Sequence, residues 1–166
     1  MDLSRFKLLL PLKAEFVSVA RLTGSGIANR AGFDFDAIED IKVVLSEVCN
    51  SLINDNENRN EKDSGDRNGS ESDYSGNGNG SASGDREMAV EPQNKDITLI
   101  IDFTVSNDSL TVDFAVDSPG TWTPSINTDD EDEYGLMIAQ ILMDEFEVNP
   151  RDGCVVSMVK YIAEIE

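Results

Sequence analysis

The chain has 166 residues, with 13 basic against 33 acidic side chains, no histidine and a formal charge of −20. One compact domain is expected at this length. Such a surface repels nucleic acid and anionic lipid and suits a soluble protein with protein partners. The missing histidine excludes Ser-His-Asp and Cys-His nucleophiles and argues against zinc. No stretch reaches the roughly 20 apolar residues of a membrane span, and "FKLLLPLK" near the start is too short and interrupted for a signal peptide. Cys49 and Cys154, far apart in apolar periodic segments, read as buried thiols of a reducing cytoplasm rather than a disulfide.

In chain order, "FKLLLPLK" (6–13) predicts a first strand. Residues 14–31 place Val17, Ala20, Gly24, Ile27 and Ala31 at helical spacing, with Gly32 as the stop. "DFDAIED" supplies the cap of a second helix, in which Ile41, Val44, Leu45, Val48 and Leu52 share one face. From Asn54 to Lys95 there is no Leu, Ile, Phe or Trp. Such a stretch cannot bury enough apolar surface to offset about 1–2 kcal/mol per residue of backbone ordering, so 54–95 reads as a disordered insertion within one domain.

Beyond it, "DITLIIDFTVS" and "LTVDFAVDS" alternate around "NDS" as a hairpin. "YGLMIAQILMDEF" predicts a third helix with Leu136, Ala139, Gln140 and Met143 on one side, and "FEVN" and "CVVSMVKYIAEI" a closing pair of strands. The order implies an α/β fold, a two-layer sandwich of a mostly antiparallel sheet backed by three helices.

The second helix also has a polar side. Glu47 and Ser51 lie within about 40° of one another, Asn54 falls close by, and Asn50 is about 60° from Glu47. A solvated helix face and a ligand site both fit that pattern. Asp117, at the end of a strand, fits a turn-starting aspartate and a ligand contact equally.

Three separated segments, "LPLKAEFVSVARLTGSGIANRAGFDFDAIEDIKVVLSEVCNSLI", "VDFAVDSPGTW" and "YGLMIAQILMDEFEV…GCVVSMVKYI", together resemble the bacterial anti-sigma factor/serine-protein kinase family (RsbW-like), of the histidine-kinase-type ATPase fold. The likeness spans nearly everything outside 54–95. It implies ATP and Mg²⁺ as cofactors, with Glu47 as general base and Asn50 or Ser51 near the metal. Asp117 would stand at adenine with Gly120 beside it, and Gly135 and Leu136 at the phosphates.

The chain departs from the family pattern at each motif. Ser51 stands where Asn is expected, Pro119 and Thr121 where glycines are expected, and Glu133 where a glycine precedes Gly135. "DDEDE" (129–133) adds negative charge near the phosphate position, each opposing charge costing about 1 kcal/mol or less at an exposed surface. The resemblance further implies a cytoplasmic anti-sigma factor that sequesters a sigma factor and phosphorylates a serine of an anti-anti-sigma antagonist. It also implies a homodimer through the first strand and helix. The departures leave an alternative, a degenerate module that binds its partners without ATP.

Overall fold

A computed structural model of the chain describes residues 4–65, 97–118, 123–126, 134–151 and 153–163. Strand β1 (Ser4–Pro11) leads through a short 3-10 turn (Ala14–Phe16) into helix α1 (Val17–Ala31) and then helix α2 (Phe35–Gly65). Strands β2 (Thr98–Val105) and β3 (Ser109–Asp117) precede helix α3 (Tyr134–Leu142), and strands β4 (Glu145–Arg151) and β5 (Cys154–Tyr161) follow it. The five strands form one sheet in the order β1-β2-β3-β5-β4. Every neighbouring pair is antiparallel. The helices cover one face, giving the two-layer α/β sandwich the pattern of elements implied.

Local chemistry sets the boundaries. Gly32 ends α1 in the left-handed region at φ 96°, where a side chain would be strained. Asp34 then caps α2, its Oδ1 accepting from Ala37 N at 2.8 Å. Along α2, Val44, Leu45, Val48 and Leu52 are fully buried and Ile41 nearly so. Each such side chain contributes about 1.5–3 kcal/mol over its exposed state. Opposite them, Leu110, Val112 and Phe114 of β3 and Val156 and Met158 of β5 form the sheet side of the core.

Two expectations need correction. Gln140 is exposed, so the buried side of α3 is Leu136, Ala139 and the following Met143 alone. The helix interior has room for a narrow stripe, and the amide stays in water, where its hydrogen bonds are satisfied. Helix α2 also runs to Gly65, so positions 54–65 continue it. Once nucleated by its packed half, a helix gains one hydrogen bond for each residue it fixes, and apolar content is not required for that. Residues 66–95 lie outside the described residues.

A candidate nucleotide site on helix α2

Helices α2 and α3 run antiparallel. At one end, Gly135 packs against Glu47: a Cβ built on Gly135 would overlap Glu47 Oε2 and stand 3.2 Å from both Cβ and Cδ of that side chain. At the other, Lys160 Nζ donates to Leu142 O at 2.6 Å and to Asp40 Oδ2 at 3.2 Å, tying the end of α3 to the first turns of α2. Residue 135 is therefore glycine for a spatial reason. The Glu47 carboxylate takes the volume a side chain would need.

A second anchor lies two turns further along α2. The backbone N–H of Ser125 donates to Asp55 Oδ2 at 3.2 Å, and Ile126 beside it is buried. Chain segments following β3 are thus held against α2 at positions 47 and 55, about 12 Å apart at 1.5 Å per residue. Between these points stand Asn50, exposed, Ser51, 5% exposed, and Asn54, exposed. Asp55 did not emerge from the sequence reading. Its one signal there was its spacing of four and eight residues from Ser51 and Glu47.

The ends of β2 and β3 reach the same region from below. Leu99, paired with Val116, lines a small apolar recess with Cys49 and Ile53 of α2. Asp117 follows Val116 and closes β3, paired with Thr98. It is exposed, and in the strand's alternation it shares the parity of Thr111, Asp113 and Ala115. That is the sheet face away from the helices, where Asp113 accepts from Ser157 Oγ and Arg151 Nη2, both at 2.6 Å. Ser118, half-buried, is the next residue and has helix-side parity.

The structure therefore brings Glu47, Gly135 and the Asn50–Asn54 turn together. It places Asp117 at the same end of the molecule but on the opposite strand parity. The Leu136 side chain is fully buried in the core, leaving its backbone N–H as its only polar offering. Gly120, Pro119, Thr121 and the 129–133 run lie outside the described residues. Among the described residues no group of three or more Cys, Asp or Glu side chains could hold a metal ion.

Chemically, this arrangement suits an anion bound with help. The amides opening α3 are free of intrahelical partners and sit at the positive end of its dipole. Mg²⁺ is ordinarily held by one or two protein groups and completed by phosphate oxygens, so one side chain here, Asn50 or Ser51, would be enough for a metal that arrives with a triphosphate; the two point about 100° apart around the helix and do not converge on one ion. The Cys49 thiol, beneath this turn, is pushed up to about 12 by burial, which makes it a core group and not a nucleophile.

No protein-family model matches the chain. Its likeness to individual proteins extends over nearly its whole length. The serine-protein kinase RsbW of Oceanobacillus iheyensis is 32% identical over 163 residues, spanning 95% of this chain and 86% of the relative. The chain belongs to the RsbW serine-protein kinase family. RsbW of Bacillus subtilis strain 168 is 30% identical over 155 residues, 92% of this chain and 82% of the relative. RsbW of Bacillus cereus strain G9842 is 29% identical over 158 residues, 95% of this chain and 85% of the relative.

Proposed function

We propose that this protein is an anti-sigma factor that sequesters a sigma factor and uses ATP to phosphorylate a serine of an anti-anti-sigma antagonist. The observation that carries the reading is the Glu47–Gly135 contact. It sets a carboxylate beside the N-terminus of α3, where phosphate oxygens and an incoming hydroxyl can meet. In this reading Glu47 would accept the proton of the antagonist's serine, whose oxygen would take the γ-phosphoryl group while ADP leaves. Asn50 or Ser51 would stand near the metal, and the Gly135 and Leu136 amides would face the phosphates. ATP, when bound, supplies the phosphoryl group.

Adenine recognition falls to Asp117 with Gly120. For that, the chain must turn at Asp117 so that its carboxylate swings from the outer parity to the helix side. Ser118, already on that side, is the competing reader.

Charge and exposure support protein partners. Residues 1–31 carry Arg5, Lys7, Lys13, Arg21 and Arg30 against Asp2 and Glu15, within a chain whose total is strongly acidic. On that basic portion Phe6, Leu9, Val19 and Leu22 are 40, 58, 38 and 72% exposed. Apolar side chains so placed suit a homodimer through β1 and α1, or a partner docked there. Among the described residues no helix is long and apolar enough to cross a membrane. Both cysteines are free, which suits the cytoplasm.

One observation favours a second reading, a binding module without ATP. Ser51, where the family's motif has asparagine, is buried, and the nearest carboxamide, Asn50, is exposed and about 100° away around the helix. Calorimetry with Mg-ATP separates the two. Micromolar binding is the result expected of the kinase, and no heat at millimolar nucleotide leaves the binding module alone.

A further inference from the structure

Helix α3 covers the core with one side and leaves the other bare. Leu136 and Ala139 are fully buried, whereas Tyr134, Met137, Ile138 and Ile141 are 67, 44, 44 and 80% exposed. At 100° per residue the four exposed positions fall within about 100° of arc, an apolar stripe with i, i+3, i+4, i+7 spacing. A stripe this large is unusual on a solvated surface and marks a contact face. It runs towards a second feature. Past Leu142 the surface opens into a cleft of about 570 Å³ lined by Asp34, Asp36, Asp40 and Asp144. Its cation, Lys160, is already engaged by Asp40 and the Leu142 carbonyl.

We propose that α3 and this cleft form one docking groove for a basic amphipathic helix of a partner protein. The partner's apolar side would lie along Tyr134, Met137, Ile138 and Ile141, and a Lys or Arg beyond its last apolar turn would enter the acidic cleft. The spacing of the exposed side chains matches the anchors by which an amphipathic helix reads a groove. The charge selects the occupant. An anionic membrane or a nucleic acid is repelled by the acidic rim and by the net charge of the whole chain. Residues 66–96 of this chain are themselves net acidic. A second copy would set the same acidic rim against its own acidic surface. The groove needs neither ATP nor phosphoryl transfer, so it stands or falls separately from the kinase reading.

The test uses the full chain and a labelled amphipathic peptide of leucine and lysine, about 18 residues or five turns long. Its Leu/Glu counterpart and a Leu/Lys peptide of scrambled period serve as controls, and binding is read by fluorescence anisotropy without nucleotide. The periodic Leu/Lys peptide is expected to bind, and neither control to do so. Ile141→Asp and Met137→Asp should each weaken binding about tenfold or more. Asp144→Lys should weaken it and flatten its salt dependence. Ile141 and Met137 are surface residues, and thermal unfolding of the variants confirms that they fold. Equal binding of the scrambled peptide, or Ile141→Asp binding as wild type, overturns the proposal. So does a dimer that Ile141→Asp converts to monomer in sedimentation, which assigns the face to self-association. Co-sedimentation with phosphatidylglycerol vesicles lost in Ile141→Asp overturns it in favour of a lipid surface.

Discussion

Replacing Gly135 with alanine separates a catalytic from a purely structural reason for the Glu47–Gly135 contact. Alanine favours a helix over glycine by about 1 kcal/mol, and Gly135 has ordinary helical φ, so the backbone accepts the change. Against that gain, the new methyl overlaps Glu47 Oε2 and stands 3.2 Å from its Cβ and Cδ. The carboxylate can rotate aside, but the Cβ is fixed to α2. The helices must therefore part by a few tenths of an ångström, within the usual overpacking cost of about 1–3 kcal/mol. Net stability should fall by about 2 kcal/mol or less.

Activity should respond far more. A general base contributes about 10²–10⁴-fold, and displacement by about 1 Å can remove about 10²-fold. Phosphate transfer to a purified antagonist, with urea unfolding measured on the same sample, should show kcat reduced about a hundredfold in a folded protein. Wild-type kcat in the alanine variant would mean that Glu47 fills space beside α3 and takes no part in proton transfer.

Other substitutions probe neighbouring parts. Lys160→Met strands the Leu142 carbonyl and Asp40, and urea unfolding should show a loss of about 1–3 kcal/mol. Calorimetry should show Asp117→Ala weakening Mg-ATP binding more than Ser118→Ala; the reverse order would move adenine contact from Asp117 to Ser118. The Cys49 thiol, raised by burial, holds its proton in the folded protein while the unfolded chain releases it. Its stabilisation is therefore complete below about pH 8.5, the ordinary thiol value, and is lost as pH rises towards about 12. Cys49→Ala should flatten the fall in stability between those limits. An unchanged slope would show that the thiol does not titrate as its burial requires.

Much of the fold was legible because two periods carry it. The α2 stripe from Ile41 to Leu52 and the alternation of β2 and β3 follow from spacing alone. The buried side of α3 was legible at Leu136, Ala139 and Met143 but not at its edge, where Gln140 proved exposed, because "YGLMIAQILM" is apolar almost all round and gives little polar contrast to bound the stripe. The run of α2 through 54–65 was hidden for a different reason. Composition reports what can be buried, whereas helix propagation depends on backbone hydrogen bonds.

At the site, the angular proximity of Glu47, Ser51 and Asn54 was readable from helical spacing, but the burial of Ser51 was not. The meeting of Glu47 with Gly135 was not, because the two residues belong to distant segments joined only by tertiary packing, and family likeness alone linked them in advance. The orientation of Asp117 could have been read from "LTVDFAVD", where four alternating apolar residues end at Val116 and leave the aspartate on the other face. Resemblance drew attention to the motif's letters, and alternation decides which way the letter points.

Transfer of labelled phosphate from ATP to the antagonist's serine, compared between wild type and Glu47→Gln, bears most directly on the central claim. The isosteric amide keeps the fit beside Gly135 and removes the base. Transfer should fall at least about a hundredfold while Mg-ATP affinity stays within a few-fold of wild type. Wild-type transfer by Glu47→Gln, or no transfer by the wild-type protein with nucleotide bound, would contradict it.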